Sequence, residues 1–322
     1  MAAARRFLQT LCVVAAIGAA PAFAGGAAAP VRITAATNLA LRQTPSASAT
    51  VVAYLPLGTE VTEVGPLGLD KTWVHVKLAD NREGWLVATL TRLIESSRRT
   101  ATVEAIVVDR LGRHGDGPPA CIEVVDFIER ESAVLTDPQT AARFDLYRLR
   151  AVSTVLSTIR LNLGKRDPYM SWLDRHKSLI AYDEPGGRWL LSNAALWQIH
   201  DQHPDAAAAD EIAWLAVTNG LPGECQGSLV CYVDALNRLD GEYLRRHPAG
   251  QHAEEAAARI KDAADQIGAG MKAHSVYVFD KTRDCASLTR SVDALAASIS
   301  AASCGNRAEV LQSVAGIKSI CK

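Results

Sequence analysis

The sequence predicts a multidomain protein: a small all-β barrel over residues 31–95, followed by a mainly α-helical domain over residues 100–322. The periodicity predicts this division, because apolar residues alternate with polar ones up to about residue 87 and recur at helical spacing from about residue 137. A length of 322 residues also suggests roughly two domains. The six cysteines after residue 24 form an even set, which favours disulfide bonds as a stabilising element of the helical domain.

Residues 1–24 are predicted to form a cleaved secretory signal peptide. Arg5 and Arg6 supply a positive start, an uncharged apolar run covers residues 7–20, and Ala-Phe-Ala at 22–24 is a small-x-small cleavage site. The run is shorter than the roughly 20 apolar residues of a membrane span, so an uncleaved anchor is the less favoured alternative. Cleavage after Ala24 would leave a linker at 25–30 and a periplasmic or secreted protein in which disulfides can form.

The composition excludes several classes of protein. A formal net charge of −1 at pH 7 gives no global attraction to nucleic acid or to an anionic membrane. No segment after the predicted signal peptide has 18 consecutive apolar residues, so we expect no membrane span after cleavage.

Short alternating runs separated by turns fill the N-terminal part. The runs lie at 38–42, 50–55, 60–64, 73–78 and 85–87, and turn residues at 56–59 and 80–84 lie between them. Alternation at this spacing is typical of the strands of a small all-β barrel.

The same stretch resembles a bacterial SH3-like (SH3b) domain. It carries the opening Asn-Leu-Ala-Leu-Arg at 38–42, Leu-Gly-Thr at 57–59 before a strand, Trp73 three residues before Val76, and the pair Gly84-Trp85. Many members have Arg-x-Gly-Pro where this chain has Arg-Gln-Thr-Pro at 42–45, which makes the first turn less typical. The resemblance implies recognition of peptidoglycan or a short peptide, beside a second domain.

Three aromatic residues of this stretch are the predicted ligand-binding residues: Tyr54, Trp73 and Trp85. Aromatic side chains offer a large contact area at low entropic cost, which suits peptide or sugar ligands. The alternative interpretation is that the tryptophans belong to the core of the barrel.

The larger part, residues 100–322, is predicted to form a series of helices. Asp137 as a cap and Pro138 at the first position open a long run at 140–163. A short helix is expected at 121–131, and 103–109 fits either a helix or a strand. Residues 183–189 form the clearest loop, and the remaining helical candidates are 169–180, 190–202, 206–219, 229–247, 252–267, 286–303 and 308–320.

An internal repetition is present in the helical part. His-Pro, five further residues and an acidic pair begin at His203 and again at His247. The pattern is similar to helical repeats of the tetratricopeptide type, in which a helix ends near a proline and the next one begins with acidic residues. Two similar turns in an ordinary helical bundle are the alternative.

Three disulfide bonds are expected. Cys225 and Cys231 flank a short loop that can bring their sulfurs into range. The predicted helices 286–303 and 308–320 form an antiparallel hairpin, which places Cys285 and Cys321 together at its open end. Cys304 lies at the turn of that hairpin and would remain for Cys121.

No catalytic or metal-binding motif is recognisable. His200 and His203 share a helix face near acidic residues, but a structural role is favoured over a metal site. Loop acids at 183, 184 and 224 near Trp189 suggest a glycan cleft, although solvated loop acids are far commoner.

The sequence therefore predicts a non-catalytic exported binding or scaffolding protein without a cofactor. Its partners would be peptidoglycan or a peptide on the SH3b module and an envelope protein on the helical domain. A peptidoglycan hydrolase with an unrecognised site in the helical domain is the alternative. A purely structural module of an envelope assembly is a third hypothesis.

Overall fold

A computed structural model describes residues 29–65, 71–273 and 277–322. The predicted signal peptide and all but the last two linker residues lie outside the described residues. An N-terminal antiparallel sheet precedes a mostly helical region, as the periodicity predicts. The last strand of the sheet ends at Ile94 and the first α-helix begins at Arg99.

The sheet forms a small domain, here called the β-domain. Its strand order is β3-β2-β6-β5-β4-β1-β7. One face buries the alternate apolar residues Leu39, Leu41, Val74, Val76 and Leu86. The strands are β1 (Val31–Thr34), β2 (Leu39–Arg42), β3 (Val51–Leu55), β4 (Glu60–Glu63), β5 (Trp73–Lys77), β6 (Glu83–Val87) and β7 (Thr91–Ile94).

The helical region begins directly after the sheet. Asp137 caps its longest early helix by accepting a hydrogen bond from Thr140 N at 2.8 Å, as predicted. The ambiguous segment 103–109 is helical. The helices are α1 (Arg99–Leu111), α2 (Pro118–Ser132), α3 (Pro138–Thr158), α4 (Leu161–Gly164), α5 (Tyr169–Arg175), α6 (Asn193–Gln202), α7 (Ala209–Asn219), α8 (Leu229–Leu236), α9 (Glu242–Arg246), α10 (Ala253–Lys272), α11 (Lys281–Ala301) and α12 (Arg307–Lys318). A π-helical turn, Asn237–Gly241, joins α8 to α9.

A β-hairpin interrupts the helical region where the sequence predicts two longer helices. Strands β8 (Ile180–Asp183) and β9 (Arg188–Leu191) pair antiparallel, so the predicted helices at 169–180 and 190–202 are each shorter than expected. The cross-strand pair Tyr182 and Trp189 brings two rings to 4.7 Å. Short apolar runs fit a helix or a strand equally well by periodicity, and here pairing across the turn decides.

Three hydrophobic cores organise the described part of the chain. The first joins α1–α3, α5–α7 and the β8–β9 hairpin, and it includes Ile33, Ala35 and Leu57 of the β-domain. The second joins α7–α12. The third lies inside the β-domain. Because β-domain residues enter the first core, the sheet and the helices are packed together.

The turn between β3 and β4 forms the main polar junction with α2. The Leu57 amide donates to the Glu123 carboxylate, and Arg130 Nη2 donates to the Leu57 carbonyl at 3.0 Å. Gly58 has φ of +78°, and a Cβ there would collide with the Phe127 ring and the Arg130 guanidinium. The junction therefore requires glycine at this turn.

Gly58→Ala is expected to lower the free energy of unfolding by about 1–3 kcal/mol, because both the backbone conformation and the space against Phe127 oppose a side chain. Urea denaturation measures the loss. Gly187→Ala is the matched control, since Gly187 also has positive φ (60°) but nothing lies within 4 Å of its added Cβ. An equal loss for both variants would show that the close approach to α2 is irrelevant.

Two of the predicted disulfide bonds are confirmed. Cys225 pairs with Cys231 and Cys285 with Cys321, and their Cα atoms are 5.5 Å and 5.6 Å apart. The predicted third bond, between Cys121 and Cys304, is wrong. Both are free thiols, because Cys121 on α2 is buried in the first core while Cys304 packs against the second.

Candidate ligand-binding face of the β-domain

The face of the sheet that points away from the β-domain core carries aromatic and cationic side chains. Alternation places Tyr54, Arg42, Trp85 and His75 on this face, here called the outer face. Register supports the assignment, since Tyr54 pairs with Ala40 on β2 and Trp85 lies between Arg42 of β2 and His75 of β5. Strands β3, β2, β6 and β5 are neighbours, so these side chains form one continuous surface.

Trp85 and His75 form the centre of the outer face. Their rings stack with centroids 4.8 Å apart and planes 17° from parallel. The Arg42 Nη1 atom donates to the Ala49 carbonyl at 2.7 Å, which fixes the guanidinium beside this stack. Stacking holds the Trp85 indole in one orientation and lowers the entropic cost of binding a flat or apolar group against it.

The three predicted ligand residues differ in accessibility. Tyr54 is 61% exposed, and Trp85 is half-buried on the same face. Trp73 is only 8% exposed, so it offers little surface to a ligand. Arg42 and His75 were not singled out by sequence reasoning, although strict alternation along β2 and β5 could have placed them beside Trp85.

The β-domain contacts the helices through a different surface. Leu57, Ile33 and Ala35 enter the first core, and Gly58 lies against Phe127. Tyr54 and Trp85 belong to none of these junction contacts. Among the described residues, the helical region therefore contacts the β-domain through a surface other than the outer face.

Several histidines of the helical region form a structural network. His200 Nε2 lies 2.8 Å from His247 Nε2, so one of the two nitrogens carries a hydrogen and donates the hydrogen bond, and the other is unprotonated and accepts it. His200 is also bonded to Asp201, and His203 to Asp145 of α3 at 2.9 Å. His203 and His247 both occupy the residue that ends a helix, before α7 and α10 begin, as the internal repetition predicts.

The His200–His247 contact predicts acid sensitivity. Burial lowers the pKa of the His247 imidazole; Asp210 opposes this, while His200 and Arg246 lower the pKa further. The folded protein therefore takes up this proton less readily than the unfolded chain, whose histidines titrate near pH 6.5. We expect the free energy of unfolding to decrease as the pH falls below about 6.5, and His247→Gln to reduce that decrease in urea titrations.

His176→Gln is the control, because its effect on stability should depend on pH in the opposite direction. Burial lowers the pKa of His176, but hydrogen bonds to the Glu129 carboxylate and the Trp172 carbonyl outweigh it, so the pKa is raised overall. Its contribution to stability is present below pH 6.5 and is lost as the pH rises through the folded-state pKa. His176→Gln should therefore cost more stability at pH 5.5 than at pH 7.5. The same pH dependence for both variants would contradict this assignment.

Asp183, one of the three loop acids, is held in local structural contacts. Asp183 is buried, accepts a hydrogen bond from Gly223 N at 3.0 Å and forms an ion pair with Arg188 at 3.2 Å. The Gly223 amide is the main reason that the pKa of Asp183 is lowered, so this group is a poor proton donor at neutral pH. Glu184 and Glu224 are exposed.

Within residues 29–65, 71–273 and 277–322, no group of three or more histidine, cysteine or acidic side chains is arranged to hold a metal ion. No described helix combines the length and apolarity that a bilayer span requires.

Comparison with known proteins identifies the β-domain. The family model described as a bacterial SH3 domain matches residues 37–91. No curated protein and no solved structure matches the chain. The match does not extend into the helical region, so the tetratricopeptide-type resemblance stays a prediction. Residues 37–91 thus form a bacterial SH3 domain, and the chain is an SH3 domain-containing protein with a mostly helical second part.

Proposed function

We propose that this chain is a non-catalytic binding protein of the bacterial cell envelope, located in the periplasm or secreted. A bacterial SH3 domain is a module for binding the cell wall or a peptide, and here the outer face of the sheet supplies the binding surface. The helical domain holds the SH3 domain and docks a protein partner. The single observation that carries the proposal is the placement of Tyr54 and Trp85 on one open face beside Arg42.

The composition of the outer face favours a ligand with flat or apolar groups and carboxylates. Tyr54 and Trp85 supply contact area, while Arg42 supplies a fixed positive charge. Lys77 Nζ and His75 Nε2 each lie 3.8 Å from a carboxylate oxygen of Glu83, the acidic residue of β6. Sugar rings stack on aromatic faces, and the peptide stems of peptidoglycan carry carboxylates, so a cell-wall fragment fits both features.

The disulfide bonds support a location outside the cytoplasm. Such bonds persist in oxidising compartments and are rare in the cytosol. Both pairs lie in the helical domain, where they close the loop before α8 and the α11–α12 hairpin. The proposed signal peptide at residues 1–24 would deliver the chain to that compartment.

Exposed apolar residues support a docking role for the helical domain. Tyr232 is 39% exposed and Val278 is 61% exposed. Val278 N donates to the Gly227 carbonyl at 2.8 Å, so this patch lies beside the Cys225–Cys231 loop. The disulfide restrains the loop, which lowers the entropic cost of binding a partner there.

Co-sedimentation of the full chain with purified peptidoglycan tests the proposal. The wild-type protein should pellet with the sacculi, and Tyr54→Ala and Trp85→Ala should each weaken binding at least tenfold, as expected when an aromatic anchor is removed. Tyr232→Ala is the matched control, because it removes an exposed tyrosine of the helical domain.

Binding that is unchanged in both outer-face variants would overturn the proposed surface. A folded wild-type protein that stays in the supernatant would rule out the cell-wall ligand, and a peptide array would then test peptides. Release of soluble fragments from the sacculi would contradict the non-catalytic assignment and favour a hydrolase.

A further inference from the structure

A cavity of about 250 Å³ lies at the junction of α1, α2 and α3. It is separate from the outer face, since its walls come from the end of α1, the connection to α2, the first half of α2 and the second half of α3. Arg110, Asp116 and Cys121 line it together with Val124, Ala151, Thr154 and Ser157. This volume is below that of typical drug-sized sites and suits a small molecule.

Arg110 is the distinctive residue of the cavity. Its side chain is only 4% exposed. Nη2 donates to Asp116 at 2.6 Å and to Thr37 Oγ1 of the SH3 domain at 3.4 Å, whereas Nε has no hydrogen-bond partner in the described parts of the chain. A buried guanidinium N–H without an acceptor is unfavourable, so the residue that lines the cavity retains an unmet donor.

The other walls divide into polar and apolar sections. The Thr154 and Ser157 hydroxyls donate to carbonyls of α3 at 3.0 Å and 2.7 Å, so these protons are already used and the guanidinium groups remain as the donors for a carboxylate. Val124 and Ala151 form an apolar section of the wall. Arg113 brings a second guanidinium to the cavity, where it is half-exposed and paired with Asp109.

We propose that this cavity binds a small carboxylate of the size of a four-carbon acid or a single amino acid. A carboxylate oxygen accepts from Arg110 Nε, and the carbon chain lies against Val124 and Ala151. The lining holds the guanidinium groups of Arg110 and Arg113 and one carboxylate, that of Asp116, so its formal charge is positive and favours a carboxylate over a neutral carbonyl.

The free thiol of Cys121 gives a direct readout of occupancy. Burial raises the pKa of Cys121, and the charge of Asp116 raises it further, so the group is a slowly reacting thiol at neutral pH. Cys304 is the second free thiol of the described chain and packs against the other helical core. The two thiols can be modified in the same sample and distinguished by peptide mass mapping.

The test measures the rate at which methyl methanethiosulfonate modifies each thiol, with and without butyrate. We expect saturating butyrate to slow modification of Cys121 at least fivefold and to leave Cys304 unchanged. Butyramide, which has the same shape without the charge, should protect Cys121 at least tenfold less effectively per mole. The dipeptide alanyl-alanine extends the test: protection by it supports a peptide carboxyl terminus as the ligand, and protection by butyrate alone supports a free small acid.

Ala151→Leu should abolish the protection by filling the cavity, while Ala101→Leu makes the same change at an exposed position of α1. Saturation-transfer NMR with butyrate on both variants reports binding independently of the thiol. Equal protection by butyramide, or protection of both thiols alike, would overturn the proposal. Unchanged butyrate binding in a folded Ala151→Leu protein would overturn it as well.

Discussion

Loss of the Cys285–Cys321 bond should lower the free energy of unfolding by about 4 kcal/mol. The two residues are 36 positions apart in sequence, and a cross-link that closes a loop of this length removes a large amount of conformational entropy from the unfolded chain. The bond joins the first part of α11 to the turn Ser319–Cys321, so its removal also frees that turn from α11. The loss is measured by urea denaturation of the Cys285→Ala/Cys321→Ala variant.

The Cys225→Ala/Cys231→Ala variant is the matched control. That bond closes a loop with a separation of 6 residues, for which the same entropy relation gives about 2 kcal/mol. Removing the longer-range bond should therefore cost more than removing the shorter one. Equal losses, or a larger loss for the short loop, would contradict the view that the bond acts by restraining the α11–α12 hairpin.

The second large effect is expected at a buried ion pair of the helical domain. Asp240, in the π-helical turn between α8 and α9, is 1% exposed, and its carboxylate accepts from Arg259 Nε of α10 at 2.8 Å. Burial raises the pKa of Asp240, and Arg259 opposes that shift. Arg259→Met leaves the carboxylate buried without its partner, and we expect a loss of about 3 kcal/mol in the free energy of unfolding at pH 7.

The pH dependence and a double variant separate this mechanism from lost packing. In Arg259→Met, Asp240 has a raised pKa in the folded state, so its contribution to stability is present at low pH and is lost as the pH rises through that pKa. The loss should therefore shrink at low pH. The variant Arg259→Met/Asp240→Leu should recover much of the stability, since no buried charge remains. A pH-independent loss, or additive losses in the double variant, would contradict the mechanism.

The sequence is sufficient to predict features that depend on residues close together along the chain. Alternation and turn residues are local, so the strands of the SH3 domain could be located, and the Asp137 cap marked the start of α3 for the same reason. Strands β1 and β7, four residues each, could not be located from the sequence. Pairing with distant segments stabilises them, since β1 pairs with both β4 and β7. The β8–β9 hairpin was missed for the same reason.

The arrangement of the outer face required information that is not local. Aromatic residues of the SH3 domain could be selected from the sequence, but strand order decides that Arg42 and His75 flank Trp85. The predicted bond between Cys121 and Cys304 is wrong for a related reason. The two residues were paired only because the other four cysteines had partners, whereas the helix packing places the two thiols in different cores. Counting cysteines predicts that bonds form, and spatial proximity decides which ones.

The most direct test of the account is an NMR titration of the full chain with a soluble muropeptide. The account predicts that backbone amide shifts change along β2, β3, β5 and β6 around Tyr54 and Trp85, while the turn at Leu57 that contacts α2 stays unchanged. Shift changes confined to the helical domain, or none at millimolar muropeptide, would contradict the assignment of the outer face as the ligand-binding surface.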